Sequence, residues 1–164
     1  MTLPDLEYIG YRRRHPKAVP PRRASMSAAG WDFATAEGCI IWPGQVKLLN
    51  TGLQFFMNPN QFFTLRVRSS VFRRGLIICN SPCDPDYRWG PDDADGWPTP
   101  LCWHIAVRNV GWLPRRIRAG DRLAQAIVPI EWSFAEASIF LTGRELKGLD
   151  WGENRRGGFG TTGR

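Results

Sequence analysis

Long apolar runs are missing from this 164-residue chain: none approaches the roughly 20 residues that a membrane-spanning helix needs. The first residues, Met1-Thr2-Leu3-Pro4-Asp5, lack the basic start and apolar stretch of a secretory signal peptide. Internal repeats are absent as well. We therefore expect one cytoplasmic domain over residues 1–164, with no membrane partner and with enough chain to bury a core.

Metal-binding residue types are scarce, since the chain has two histidines and four cysteines. Cys79 and Cys83 have three residues between them, but a structural zinc site usually needs a second close pair of ligands. Without an export signal, reduced thiols are expected. We predict that all four cysteines pack as small, buried apolar side chains. They are Cys39, Cys79, Cys83 and Cys102.

Acidic residues are outnumbered, 15 against 22 basic ones, which gives a net charge of +7. Much of the excess lies near the ends of the chain, in Arg12-Arg13-Arg14, Arg22-Arg23 and Arg155-Arg156. A basic surface attracts polyanions such as nucleic acid. A small anionic substrate such as a nucleoside triphosphate explains the same excess, and most of these arginines suit an ordinary solvated surface. Nucleic acid is therefore not an expected partner.

The hydrophobic pattern has the period of β-strands. From Gln61 to Arg68, large apolar residues alternate with polar ones, and the same alternation follows Trp103. Turn residues at Asn50-Thr51-Gly52 divide another apolar stretch. Only two short segments, Ser70–Leu76 and Phe134–Leu141, have a helical pattern. Many short strands with regular turn signals predict an all-β sandwich or jelly roll.

The last residues of the chain differ in composition from the rest. Residues 148–164 contain six glycines and few apolar side chains. Such a segment cannot bury much apolar surface, so we predict a flexible, glycine-rich C-terminal arm.

Five short segments combine the residue types that bind and hydrolyse a nucleoside triphosphate. They supply carboxylates that can activate water, a tyrosine, serines beside an arginine for phosphate oxygens, and glycines with one aromatic residue. Each segment alone is a weak signal, but their fixed order is hard to obtain by chance. In chain order they are Ala29-Gly30-Trp31-Asp32, Arg68-Ser69-Ser70, Asp84-Pro85-Asp86-Tyr87-Arg88, Gly120-Asp121-Arg122-Leu123-Ala124-Gln125 and Gly157-Gly158-Phe159-Gly160.

This order resembles the five motifs of the trimeric dUTPases, which cleave dUTP to dUMP and pyrophosphate. The resemblance extends from about Ala18 to the end of the chain. It implies a jelly-roll-like distorted β-barrel, a homotrimer whose active sites are shared between subunits, dUTP as substrate and Mg²⁺ as cofactor.

The third motif supplies the predicted catalytic residue, Asp84. The resemblance implies that Asp84 activates the water that attacks the α-phosphorus, and that Tyr87 packs on the deoxyribose and excludes a 2′-hydroxyl. Without the other motifs, Asp84 would be read as a turn residue beside Pro85.

Phosphate binding is predicted for the second and fourth motifs. Arg68 with Ser69 and Ser70 suits phosphate oxygens, although a serine at this place also serves as an ordinary helix N-cap. By resemblance, Gln125 donates to the α-phosphate and Asn80 also belongs to the substrate-binding set.

The first and fifth motifs complete the predicted site. By resemblance, Phe159 stacks on the base when the arm closes. Arg155 or Arg156 would bind the γ-phosphate, because the arginine position of the family is occupied here by Asn154. Asp32 has two open roles: it holds a water on the metal, or it fixes the loop that shapes the site.

Two departures from the family leave alternatives open. Asn80-Ser81-Pro82 reaches Asp84 through Cys83 alone, which shortens the hairpin that forms the uracil pocket, and residues 89–102 form a predicted surface insertion. Two alternatives to a dUTPase follow. One is a pyrophosphatase for a different deoxynucleoside triphosphate, and the other is a non-catalytic nucleotide-sensing or regulatory protein on the same fold. Deamination is not expected, because Ala106 stands where the related deaminases carry a glutamate.

Overall fold

The computed structural model describes residues 8–57, 61–83, 89–92, 98–100, 102–128 and 133–136. Within these ranges the chain forms short strands and one four-residue helix. The strands are β1 (Tyr8–Arg13), β2 (Arg22–Arg23), β3 (Trp31–Ala34), β4 (Cys39–Ile41), β5 (Val46–Asn50), β6 (Leu53–Phe56), β7 (Thr64–Val67), β8 (Leu76–Ile78), β9 (Trp89–Asp92), β10 (Pro98–Pro100), β11 (His104–Asn109), β12 (Arg115–Ile117), β13 (Arg122–Ile127) and β14 (Ser133–Glu136). The helix is α1 (Ser69–Phe72).

The strands form five sheets in which all pairings are antiparallel except one. The largest sheet has the order β2-β3-β13-β7, and two three-stranded sheets have the orders β5-β11-β8 and β14-β1-β6. Two pairs, β12-β4 and β10-β9, complete the set. The all-β prediction is therefore confirmed. No helix in the described part of the chain is long and apolar enough to cross a membrane.

The strands predicted from alternation are present. Phe63 and Leu65 of the first stretch are buried while Arg66 is exposed. In β11, Ile105 and Val107 have no exposed surface and Arg108 points to solvent. The first stretch is therefore half-buried, whereas β11 is buried on both faces from Ile105 to Val107, because Ala106 is buried as well.

The helical prediction for residues 134–141 is wrong over the part that the structure describes. Ser133–Glu136 is strand β14, which pairs in parallel with Tyr8–Tyr11 of β1. Phe134 is buried against other aromatic rings. Pairing with a strand more than 100 residues earlier in the chain, together with this burial, overrides the local helical pattern.

The predicted turn between β5 and β6 has a tight, hydrogen-bonded geometry. Asn50 Oδ1 accepts a bond from the backbone N–H of Gly52 at 2.7 Å, and the Thr51 hydroxyl donates to the Trp103 carbonyl at 2.6 Å. Gly52 has φ +69°, and a Cβ there would lie 2.6 Å from the Cβ of His15. Both the backbone conformation and the space therefore require glycine.

Aromatic rings from distant parts of the chain fill the core. Phe33 stacks on Phe55 with ring centroids 5.5 Å apart, and it meets Phe63 and Phe134 edge-on at 5.4 Å each. Phe63 also meets Trp103 at 6.0 Å. These rings join β3, β6 and β14, and Phe33 contributes to the core by contacting a ring from each of the other two strands.

We expect Phe33→Ala to lower the free energy of unfolding by about 3–5 kcal/mol, because it removes a fully buried ring that contacts three others. Urea unfolding followed by tryptophan fluorescence at one fixed protein concentration measures this loss. Phe72→Ala is the control, because Phe72 is 61% exposed and its truncation should cost less than about 0.5 kcal/mol. Equal losses in the two variants would contradict a contribution of Phe33 to the stability of the core.

Candidate active site

The carboxylate of Asp32 is the centre of the candidate site. Asp32 lies on β3 and is buried, with 2% of its surface exposed. Its Oδ1 pairs with Nε of Arg68 at 3.0 Å and accepts a bond from Nε2 of Gln125 at 3.3 Å. Its Oδ2 accepts from Nη1 of Arg122 at 3.1 Å. Three of the five sequence motifs therefore converge on one buried carboxylate.

Sheet register explains how these residues meet. β13 pairs with β3 so that Gln125 lies directly opposite Asp32, and β13 also pairs with β7, whose end leads to Arg68. A carboxylate removed from water is unfavourable unless charged partners and hydrogen bonds compensate it. The two guanidinium groups and the amide supply that compensation, and in return Asp32 restricts where their side chains can lie.

Arg68 and the two serines lie where β7 turns into α1. Arg68 occupies the N-cap position, and among the described residues no side chain caps the helix. Ser69 and Ser70 are the first two residues of the helix and both are exposed. The N-cap interpretation of these serines is therefore wrong, because the cap falls one residue earlier. Their exposed hydroxyls remain compatible with the predicted phosphate contacts.

Asn80 has two strong hydrogen bonds to the backbone of β11. Its Nδ2 donates to the His104 carbonyl at 2.7 Å, and its Oδ1 accepts from the Ala106 N–H at 2.7 Å. The side chain thus continues the pairing between β8 and β11 beyond Ile78. This contact is structural, and the substrate-binding role of Asn80 stays a prediction.

The segment after Asn80 crosses to another strand. The Ser81 hydroxyl accepts a bond from the Leu65 N–H at 3.1 Å, and Cys83 forms a β-bridge with Phe63. The chain therefore passes from β11 to the edge of β7 immediately before Asp84. Five predicted site residues lie outside the described residues, as does the predicted arm at 148–164. They are Asp84, Tyr87, Arg155, Arg156 and Phe159.

Comparison with known proteins identifies the family. No protein-family model matches the chain. The deoxyuridine 5′-triphosphate nucleotidohydrolase of Wolinella succinogenes is 32% identical over 153 residues, which cover 92% of this chain and 90% of that protein. The chain belongs to the dUTPase family. This confirms the resemblance carried by the five motifs.

Solved dUTPase structures have the same fold. The dUTPase from Streptococcus mutans matches with a TM-score of 0.58 and 26% identity, covering 73% of this chain and 94% of that one. The dUTPase from phage phi11 of S. aureus, described with a structural Mg(II) ion, matches with a TM-score of 0.60 and 18% identity. It covers 74% of this chain and 89% of that one.

Arg122 also belongs to the cluster around Asp32, although it was not among the site residues predicted from the sequence. In a regular strand, Arg122 and Gln125 would point to opposite faces, because they are three residues apart. The register shifts between Arg122 and Ala124, where three residues of β13 oppose two of β3. This irregularity lets both side chains reach Asp32. Arg122 lies in the Gly120-Asp121-Arg122 segment of the fourth motif, but nothing in the local sequence indicates the register shift between β13 and β3.

The surroundings of Asp32 do not suit direct coordination of a metal ion. Both of its oxygens are bonded to guanidinium groups, and these positive charges oppose a cation at the same atoms. The described residues contain no group of three His, Cys, Asp or Glu side chains placed to hold a metal. Mg²⁺ commonly binds through substrate phosphates and keeps several waters, so it needs no dedicated cage of protein ligands.

The four cysteines differ in how far their side chains are buried. All four are free thiols, but only Cys83 is buried, while Cys79 is exposed and the other two are partly buried. The prediction of four buried side chains is therefore wrong. The backbone N–H of Cys79 still donates to the Ala106 carbonyl at 2.8 Å, so its side chain is exposed although its backbone remains paired with β11. Partial burial raises the pKa of the Cys39 and Cys102 thiols.

We expect Asp32→Asn to lower the free energy of unfolding by about 1–3 kcal/mol, because Arg68 and Arg122 would lose their counter-charge. Urea unfolding measures the loss. Glu37→Gln is the matched control: Glu37 is exposed, and a glutamine can still accept the bond from the Asn50 N–H. If both variants are as stable as the parent chain, the ion-pair cluster does not hold the site together.

Proposed function

We propose that this protein hydrolyses dUTP to dUMP and pyrophosphate. The observation that carries this proposal is the convergence of Arg68, Arg122 and Gln125 on Asp32 in a chain of the dUTPase family. Reaction at a phosphorus atom depends on positioning and on neutralising the charge of the phosphates. A cluster of guanidinium and amide donors supplies both.

The proposed chemistry is attack by water on the α-phosphorus. Asp84 orients the water and accepts its proton, an oxygen–phosphorus bond forms, and the bond to the bridging oxygen of the β-phosphate breaks. The products are dUMP and pyrophosphate. The bridge between Phe63 and Cys83 supports this role of Asp84, because it restrains the chain one residue before the carboxylate.

In the proposed mechanism, the residues around Asp32 bind the phosphates. The ion pair uses Nε of Arg68, so the η N–H groups of the guanidinium can donate to phosphate oxygens. The amide of Gln125 has a second N–H besides the one bonded to Asp32 and directs it to the α-phosphate. Ser69 and Ser70 add hydroxyl donors at the exposed start of α1.

Mg²⁺ is the proposed cofactor. It would bind the triphosphate oxygens and stabilise the charge that develops on the leaving pyrophosphate. The description of a Mg(II) ion for the phage phi11 dUTPase supports this assignment. In this chain Asp32 would act by holding Arg68 and Gln125 in place, and it could contact the metal only through water.

The remaining roles complete a shared active site. We infer a cytoplasmic homotrimer in which Tyr87 packs on the deoxyribose and excludes ribonucleotides. The C-terminal arm closes over the bound nucleotide, with Phe159 on the base and Arg155 or Arg156 at the γ-phosphate. Such closure would exclude water other than the attacking one.

Pyrophosphate release in the presence of Mg²⁺, measured with dUTP, dCTP, dTTP and UTP, tests the proposed function. We expect selective turnover of dUTP, and Asp84→Asn should lower kcat by about 10²–10⁴-fold because it removes the general base. Binding of a non-hydrolysable dUTP analogue should persist in that variant. Turnover of another deoxynucleotide would reassign the substrate, and no turnover with any of the four would overturn the proposal.

Deletion of residues 153–164 tests the proposed arm. We expect kcat to fall by about a hundredfold, because the bound phosphates would lose their closing contacts. Thermal unfolding should stay unchanged, since the strands of the described core end at Glu136. A truncated enzyme with full activity would remove the arm from the mechanism.

A further inference from the structure

Two neighbouring turns expose an unusual concentration of apolar side chains. Trp42 begins the turn between β4 and β5, and Val110, Trp112 and Leu113 lie in the turn between β11 and β12. Trp112 is 95% exposed, and Trp42 and Leu113 are each about 60% exposed. We call these four residues the tryptophan patch. Apolar residues gathered in this way mark interaction surfaces more often than isolated ones do.

Asn109 holds the two turns together. Its side chain is fully buried, and Nδ2 donates to the carbonyl of Ile41 at 2.9 Å and to that of Leu113 at 2.8 Å. Its Oδ1 accepts from the Gly111 N–H at 2.9 Å. The Asn109 carbonyl accepts from the Gly44 N–H at 2.7 Å. One buried amide thus bonds to the backbone on both sides of the patch.

A second set of contacts supports the turn that carries Trp112. The Val110 N–H donates to the Gly75 carbonyl at 2.8 Å, and Nη2 of Arg74 donates to the Arg116 carbonyl at 2.7 Å. Gly75, with φ +74°, approaches so closely that a Cβ would lie 3.0 Å from Cα of Gly111. The exposed side chains therefore project from a restrained backbone. Binding of a partner would therefore require little further ordering of this backbone, which favours association.

The charges around the patch are positive. Arg116 is exposed on β12, and Arg115 beside it lies opposite Ile41 in the β12–β4 pairing. The Nε of Arg115 is buried on the same side of this pairing as Ile41, so Arg116 is the arginine of the two that a partner can reach. The carboxylates whose side chains the structure describes are bonded elsewhere: Asp32 to the arginines of the site, Glu37 to the Asn50 N–H and Asp121 to the Arg118 N–H.

We propose that the tryptophan patch binds an acidic segment of a partner protein, whose apolar side chains cover Trp42 and Trp112 and whose carboxylates pair with the exposed guanidinium of Arg116. Tryptophan and arginine are the residues that dominate binding energy at protein interfaces. A carboxylate matches the planar guanidinium with two directed hydrogen bonds. A protein commonly binds a membrane surface through a long amphipathic helix, whereas this patch is formed by two short turns. The patch therefore favours a protein partner over a membrane.

Among the described residues, the patch shares no contact with the cluster around Asp32. None of its four residues takes part in the described contacts of Asp32, Arg68, Arg122 or Gln125. The proposal therefore stands whether or not dUTP is the substrate. Binding at the patch and hydrolysis of nucleotides can be measured independently on the same variants.

Selection from a displayed library of random 16-residue peptides on the full-length protein tests the proposal. We expect enrichment of peptides that combine several Asp or Glu with Leu, Phe or Trp. The same peptides, synthesised with a fluorescent label, should bind the parent chain in anisotropy titrations. The double variant Trp112→Ser and Leu113→Ser should weaken binding by about tenfold or more. Arg116→Glu should also weaken it, by repulsion of the acidic peptide.

Met26→Ser is the matched control, because Met26 is 96% exposed and lies in the loop before β3 rather than in either turn. It should bind the peptides as the parent chain does, and all variants should keep their nucleotide hydrolysis. Enrichment of basic or uncharged peptides, no enrichment at all, or binding that the double variant leaves unchanged would overturn the proposal. So would a change of oligomeric mass in the double variant, which would make the patch an interface between copies of this chain.

Vesicles of phosphatidylcholine with phosphatidylglycerol separate a membrane from a protein partner. We expect no co-sedimentation of the protein with these vesicles. Co-sedimentation that is lost in the double variant, without peptide enrichment, would replace the protein partner with an anionic lipid surface.

Discussion

The pairing of the Asp32 carboxylate with two guanidinium groups is the interaction on which the functional part of this structure depends. Asp32 comes from the first motif, Arg68 from the second, and Arg122 and Gln125 from the fourth. A buried charge tolerates few arrangements of its partners, because each lost bond leaves a polar group without water. The same requirement that stabilises the cluster also positions the donors proposed to bind phosphate.

A second buried polar group, the amide of Asn109, has the same effect on a different part of the surface. It bonds to backbone groups of Ile41, Gly111 and Leu113 and so restrains the two turns that expose Trp42 and Trp112. In both places a short, hydrogen-bonded side chain inside the fold restrains groups nearer the surface. Asp32 restrains the arginines and Gln125, and Asn109 restrains the two turns. The aromatic core around Phe33 contributes stability, whereas these polar groups specify local geometry.

Several elements could be predicted because their signals are local. The alternation through Phe63 and Leu65 identified a strand, and Asn50-Thr51-Gly52 identified a turn that the structure forms with φ +69° at the glycine. Other elements could not be predicted, because they depend on pairing with residues that are distant in the sequence. β14 exists by pairing with β1, and Arg122 reaches Asp32 through a register shift against β3. The N-cap at Arg68 rather than at a serine likewise follows from where β7 ends.

The family, the all-β class and the five motifs could be recognised in the amino-acid sequence, because the identity and order of residues indicate the chemistry and the hydrophobic period indicates strands. Three features are seen only in the folded chain: Asp32 is a buried partner of two arginines, the Asn80 amide bonds to β11, and Trp42 and Trp112 lie exposed on neighbouring turns. Burial and partnership depend on which distant strands pair and in which register. That information is spread over the whole chain and is absent from any one segment of it.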